Sequence, residues 1–338
     1  MADNATSQDS TPVPKSRRRL RPVRLFVIAA VCVVAAFAVK HFWFSLPIGE
    51  GPAGPVVPRE MFQAVWTSRP VLLVGIGDSI TDGFGASEGH SYFDMLISNP
   101  ADESPEMKGI CLGSVLPNLK SLELAVSGST SIHHLTSQLA RLEVQPPEVL
   151  GLVVMTTGGN DIIHNYGHSP PQEGAMYGAT FEQARPWIAA FDERLKSMLD
   201  RIEQCFPGGC HIFLANIYDP TDGVGDATRA GLPAWPDAMK VLAAYNEIIA
   251  RHAGQRPNVH LVDIHSEFLG HGIYCTQPWR RHYRWADPHY WYYMNLEDPN
   301  DRGYDAIRRL FLLEIAKVFQ TTAPQSSPTP LNLNHNGK

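Results

Sequence analysis

Val71-Leu72-Leu73-Val74-Gly75-Ile76-Gly77-Asp78-Ser79-Ile80-Thr81 is an apolar run that stops at a short polar turn. A strand buried on both faces reads as a continuous apolar run. Ligands of open α/β sheets bind beyond the carboxyl ends of such strands. Two later segments repeat the pattern. Leu122-Glu123-Leu124-Ala125-Val126 ends in Ser127-Gly128-Ser129, and Leu152-Val153-Val154-Met155-Thr156 ends in Gly158-Gly159-Asn160-Asp161. Strand ends of this kind bring a serine, a free glycine N–H and an asparagine amide to one rim. Those are the parts of a nucleophile with an oxyanion hole.

Outward from this stretch the chain alternates between strands and helices. Further strands are expected over 211–217 and 259–264. Helices are expected over 91–98, 132–142, 181–205, 238–252 and 301–319. The 181–205 segment carries Trp187, Phe191, Leu195, Met198 and Ile202 at helical spacing. Such alternation means a parallel sheet covered by helices on both faces.

In these blocks the chain resembles the SGNH hydrolase superfamily, the GDSL-type esterases and lipases. Gly77-Asp78-Ser79-Ile80 matches the first block, Gly128 the glycine and Gly158-Gly159-Asn160-Asp161 the asparagine block. Three blocks in order, each at a strand end, are more specific than a lone Gly-Asp-Ser triplet. The resemblance runs from about Val71 to Gln320. It implies a flavodoxin-like three-layer α/β/α sandwich with a five-stranded parallel sheet. It also implies a serine esterase acting on carboxylic esters of a carbohydrate, lipid or small molecule through an acyl-enzyme, with no cofactor and no metal. Ser79 would be the nucleophile. Gly128 would give a backbone N–H and Asn160 a side-chain amide to the oxyanion.

The base is less plain. The family usually presents an Asp and a His three apart before the last helix, followed by Pro and Asn. Here that region reads Asn295-Leu296-Glu297-Asp298-Pro299-Asn300. Asn295 stands at the Asp position and Asp298 at the His position. His271, between Gly270 and Gly272, is the expected substitute, on a loop taken to be exposed near the rim. His289, with Asp287 beside it, is the second choice, ahead of His282 and His265. Asp287 or Glu297 could orient the imidazole. The missing pair keeps a rival open: a catalytically silent carbohydrate- or lipid-binding module on the same fold.

The amino terminus differs from the rest. Residues 1–24 carry six basic and two acidic side chains, which leaves 22 basic against 32 acidic beyond them. A body this acidic repels phosphate backbones, so no nucleic acid is expected as a partner. Leu25 to Val39 is uncharged and apolar, with Lys40 and Phe42-Trp43-Phe44 after it. Lys40 can snorkel and the aromatics can sit at the far interface. The expected order is a basic cytoplasmic tail (1–24), a transmembrane signal anchor (25–44), a Gly/Pro-rich linker (45–69), a hydrolase-like domain (70–322) and a disordered tail (323–338). The catalytic domain would then lie outside the cytoplasm, periplasmic or extracellular. A cleaved signal peptide, with Ala36-Phe37-Ala38 as a small-x-small site, and an apolar core helix are the alternatives.

Three smaller features stand out. Cys205 and Cys210 span one tight turn, either as a disulfide or as two buried thiols. Trp279, Tyr283, Trp285, Tyr290, Trp291, Tyr292 and Tyr293 crowd together, as a stacking surface or as a cap over the sheet. Asp219 to Asp226 reads as an acidic turn.

Overall fold

The computed structural model describes residues 20–322. The chain divides into two units, residues 1–45 and 46–338. In the first, helix α1 (Leu20–Val39) runs on into a π-helical turn, Lys40–Phe44. Val23–Phe44 thus form 22 helical residues of mean hydropathy 2.3, none of them buried. That is long and apolar enough to cross a bilayer.

The second unit is built on five parallel strands: β1 (Val71–Ile76), β2 (Leu119–Glu123), β3 (Leu150–Met155), β4 (Cys210–Ala215) and β5 (Val259–Val262). They pair in the order β2-β1-β3-β4-β5. Val71 is level with Leu119 on one side and with Leu150 on the other. The chain therefore moves one way from β1 to β2, then returns past β1 to β3. The crevice beyond the carboxyl ends of β1 and β3 is the switch point where such sheets bind ligands.

Helices fill both faces. They are α2 (Ser79–Asp82), α3 (Tyr92–Ile97), α4 (Gly159–Ile163), α5 (Phe181–Cys205), α6 (Ala238–Gln255) and α7 (Asp301–Thr322), besides several single turns. Side chains alternate along the strands. Leu73, Leu152, Val154 and Phe213 pack with α3 and α7, while Val74, Val153, Ile212 and Leu214 pack with α5 and α6. Each such side chain contributes about 1.5–3 kcal/mol by leaving water. Helix α5 begins where Thr180 accepts from the Gln183 N–H and the Gln183 side chain accepts from the Thr180 N–H, a reciprocal cap.

Two expectations change. The helix expected over 132–142 is broken into a short α turn, a π turn (His134–Gln138) and a 3-10 turn. Both end residues of the π turn, His134 and Gln138, are buried polar groups. They face polar partners under β1 rather than continuing an apolar stripe. The stretch expected as a linker is also not free. Ala53, Val57 and Phe62 are buried. The Ala53 N–H donates to Asp305 at 3.0 Å, Arg302 donates to the Glu50 carbonyl at 2.8 Å, and the Tyr290 N–H donates to the Pro47 carbonyl at 2.7 Å. Gly and Pro mark irregular backbone, not loose backbone. Arginines on α7 satisfy its carbonyls, so it packs.

Cys205 and Cys210 are buried thiols that are not joined. Cys205 donates weakly to the Leu142 carbonyl. The expected tail, 323–338, lies outside the described residues.

Gly54 tests whether this segment belongs to the body. It sits at φ +91°, and a Cβ there would lie 2.6 Å from the Ala306 Cα. Gly54→Ala should lower the urea-unfolding free energy by about 2 kcal/mol or more. Gly51→Ala, whose Cβ would meet nothing within 4 Å, should cost about half as much in the same titration. Equal losses would mean that Gly54 does not pack closely against Ala306.

Candidate active site

The site is built from three strand ends and the turn before α7. Gly77 follows β1, and a Cβ on it would lie 2.3 Å from the Thr156 Oγ1. Only glycine lets β1 end that close to β3. Asp78 comes next and caps α2, its Oδ1 accepting from the Ile80 N–H at 3.2 Å and from the Thr156 hydroxyl at 3.0 Å. Thr156 and Thr81 share a hydrogen bond of 2.8 Å, and Thr81 reaches the Tyr92 hydroxyl at 2.8 Å. Ser79 opens α2 and lines a cavity. Its N–H has no partner among the described residues.

The loop after β2 is tied down on both sides of Gly128. Ser127 donates through its N–H to Asp82 at 3.1 Å. Ser129 donates to the Gly77 carbonyl at 2.9 Å, and its own carbonyl accepts from the Asn160 amide at 2.9 Å. The Gly128 N–H between them makes no hydrogen bond among the described residues. Asn160 uses one amide hydrogen on Ser129, and an amide has two. Asp161, wholly buried, accepts from the Ser131 N–H at 2.8 Å and the Ser131 hydroxyl at 2.5 Å, and Arg194 lies 3.5 Å away. The loop is thus pinned to α4 at two successive residues.

A second polar layer lies beneath, which the sequence reading did not single out. The Gln138 amide bonds both sides of Gly77: its Oε1 accepts from the Gly77 N–H at 3.0 Å and its Nε2 donates to the Gly77 carbonyl at 2.7 Å. His134 bridges Ser129 at 3.0 Å and Thr157 at 2.8 Å. Burial pushes His134 down to about 3, so it is neutral. The only signal for these residues was polar types inside a segment of expected helix.

The histidines expected as base do not line the cavity at Ser79. His271 is buried, its ring stacked on Trp291 with centroids 3.4 Å apart and planes at 6°. Its Nδ1 is 2.9 Å from the His289 carbonyl, and burial pushes its pKa down to about 4. The flanking Gly270 serves close packing, not exposure: a Cβ there would lie 2.0 Å from the His282 carbonyl oxygen. His289 pairs with Asp287, which also takes Arg302 at 2.6 Å. His265 bonds the Ile217 carbonyl at 2.8 Å.

Asp298 is what meets the serine. The Ser79 hydroxyl is close enough to the Asp298 carboxyl to favour its ionised form, although burial, the larger effect, raises its pKa. The Asn295 amide donates to Asp298 Oδ2 at 2.5 Å, and the Asp298 N–H donates to the Asn295 Oδ1 at 3.2 Å. Oδ1 of Asp298 is buried without an aligned partner among the described residues. Asn300, two residues on, caps α7 by accepting from the Gly303 N–H at 3.1 Å, and it donates to the Tyr290 and Tyr292 carbonyls. Three of the seven aromatics form a cap, Tyr290, Trp291 and Tyr292 being buried, while Trp279 and Trp285 are exposed.

From Ser79 a cavity runs between α4 and the start of α6. Its volume is about 150 Å³, and Ile162, Tyr177, Ile217, Trp235, Met239 and Leu242 are among its walls. Within its lining the Tyr166 hydroxyl donates to the Glu297 carboxylate, and the Tyr218 hydroxyl to the Glu297 carbonyl. Asn165 and Tyr166 sit at φ 65° and 46°.

Residues 76–306 match the GDSL-like lipase/acylhydrolase family. The chain belongs to that family and is an ester hydrolase by class. No curated protein matches the sequence. Solved structures with a similar arrangement include an extracellular lipase from Streptomyces rimosus, 17% identical, covering 73% of this chain and 99% of that one at a TM-score of 0.45. A catalytic mutant of an acetylxylan esterase from Geobacillus stearothermophilus is 17% identical over 74% of this chain and 96% of that one, at 0.46. A phospholipase A1 from Streptomyces albidoflavus is 17% identical over 74% and 100%, at 0.40.

Burial pushes Asp78 up to about 6, against the Thr156 and Ile80 hydrogen bonds, with Asp298 adding to the rise. A carboxyl whose folded pKa exceeds its unfolded value holds its proton better in the folded chain. It therefore favours the fold most below about 3.9 and least above the folded value. Asp78→Asn has no charge to desolvate. Its unfolding free energy should gain on the wild type by on the order of 2–3 kcal/mol between about pH 4 and pH 7. A difference that stays constant across that range would show that Asp78 titrates at its ordinary value.

Proposed function

We propose that Ser79 is the nucleophile of an esterase whose substrates carry an apolar acyl group. One observation carries this reading: Ser79 and Asn160 line one end of a cavity with otherwise mainly apolar walls, and the Ser79 N–H, the Gly128 N–H and one Asn160 amide hydrogen are left without protein partners among the described residues. Ser79 Oγ attacks the ester carbonyl, and the Ser79 N–H, the Gly128 N–H and the second Asn160 amide hydrogen take the oxyanion. Each such donor contributes about 3 kcal/mol to the transition state. Water then releases the acyl group. The binding-module reading rested on the missing Asp/His pair, and a carboxylate beside the serine weakens it. The mixed lining, Tyr177 and Trp235 among aliphatic residues, favours a flexible acyl chain over a polar sugar ring at this end.

The apolar helix and the basic residues before it support a signal anchor that leaves the catalytic unit outside the cytoplasm. The anchored full-length chain should then stay with membranes on alkaline extraction. Release of a shortened chain would mean a cleaved leader instead.

Ser79→Ala should abolish turnover of p-nitrophenyl esters and labelling by a fluorophosphonate, with the thermal midpoint within a few degrees of wild type. Across acetate, butyrate and hexanoate, kcat/KM should rise roughly fourfold per added methylene, the value of about 0.8 kcal/mol of burial, until the cavity is full. A preference for acetate would point to a short acyl group on a larger alcohol.

A further inference from the structure

We propose that Asp298, oriented by Asn295, is the general base of this enzyme and does the work that an imidazole does elsewhere in the family; this rests on Ser79 being the nucleophile. The geometry of the carboxyl is that of a base. One oxygen, Oδ2, is anchored by the Asn295 amide at 2.5 Å. The other, Oδ1, is buried and lacks an aligned partner, with the Ser79 hydroxyl beside the group. Hydrogen bonds of catalytic pairs are commonly loose before substrate binds.

The rivals are otherwise engaged. His271 is stacked on Trp291 with its Nδ1 on the His289 carbonyl, His289 is paired with Asp287, and His265 is held on the Ile217 carbonyl. Asp78 spends Oδ1 on the Ile80 N–H and the Thr156 hydroxyl. Glu297 accepts from Tyr166. The groups that feel Asp298 are the carboxyls of Asp78 and Glu297 and the phenols of Tyr166, Tyr218 and Tyr304. No cation is among the causes that act on Asp298, and burial is the first of them. Such surroundings make this carboxylate a stronger base than one in water.

The exchange of residue types conserves charge. An Asp/His pair is −1 at rest and neutral once the imidazole has taken a proton. The Asn295/Asp298 pair is also −1 at rest and neutral once Asp298 is protonated. The oxyanion donors therefore meet the same change of charge in the transition state.

The steps balance. As the Ser79 Oγ–C bond forms, the serine proton passes to Asp298 Oδ1 and the carbonyl π pair moves to oxygen. The C–O bond of the ester then breaks, and Asp298 returns the proton to the departing alkoxide. A water molecule repeats the sequence on the acyl-enzyme: its proton goes to Asp298, the acyl–Oγ bond breaks, and Ser79 regains its hydrogen as the acid leaves.

The test uses the full chain in detergent, with p-nitrophenyl hexanoate turnover against pH and the rate of fluorophosphonate labelling. Asp298→Asn should lower both rates by at least about 10²-fold with the circular dichroism spectrum retained. Wild-type activity should fall as pH drops through the Asp298 pKa, at a pH above the ordinary carboxylate value of about 3.9. Asn295→Asp puts a second carboxylate against the first and should move that acid limb upward. The double variant Asn295→Asp/Asp298→His should bring the limb to the imidazole range near 6.5. Should Asp298→Asn fail to fold, the shift of the limb in Asn295→Asp decides alone. Labelling of Ser79 that is as fast in folded Asp298→Asn as in wild type, or a limb unmoved by Asn295→Asp, overturns this assignment and spares Ser79. Absence of labelling at Ser79 in the wild type overturns the nucleophile and the base together.

Discussion

Everything at the rim of the sheet hangs on the buried hydrogen bond between Thr156 and Asp78. It joins the turn after β1 to the residue after β3, across the point where the chain reverses its direction through the sheet. Asp78 in turn caps α2 and so fixes the direction of Ser79. The carboxylate is held out of water against its preference, which is why its pKa rises to about 6. The fold tolerates that cost because three hydroxyls, from Thr156, Thr81 and Tyr92, share one connected set of hydrogen bonds there. Connected polar sets of this kind rigidify a site only when each member is satisfied.

From that clasp the other parts follow by short links. Gln138 holds Gly77 from below. Ser129 ties the second strand end to the first, and Asn160 ties it to the third. The last part arrives from far along the chain. Asn300 caps α7 and locks the preceding turn to the aromatic layer, so Asp298 is set by the docking of α7 on α3 and the sheet. Segment 47–58, packed under α7 by the Arg302, Asp305 and Arg309 side chains, supports the same helix from the other side.

The sheet was legible because buried parallel strands write themselves as apolar runs, and the polar turns after β1 and β3 stood out against them. The break in helix 131–141 was not legible, since it depends on where His134 and Gln138 find partners. Nor was the packing of 47–58: composition distinguishes regular from irregular backbone but not bound from free. The histidine question failed for the same reason. Glycines around His271 suit an exposed loop and a tightly packed one equally, and only the approach of the His282 backbone separates them. Asp298 was in plain view as a departure from the family pattern. What could not be read was that Asn295 departs with it in a compensating way, because the compensation lies in two hydrogen bonds and not in a motif.

Two walls of the cavity, Tyr166 and Glu297, link distant parts of the chain. Asn165 and Tyr166 adopt backbone angles that cost an L-residue about 1–2 kcal/mol each, and the Tyr166 hydroxyl is fastened to Glu297, the neighbour of Asp298. Loss of that contact would free Tyr166, while Glu297 would keep the Tyr218 hydroxyl on its carbonyl and Asp298 its bonds to Asn295. The residue before Asp298 is thus tied to two walls of the cavity at once, to Tyr166 through its side chain and to Tyr218 through its backbone.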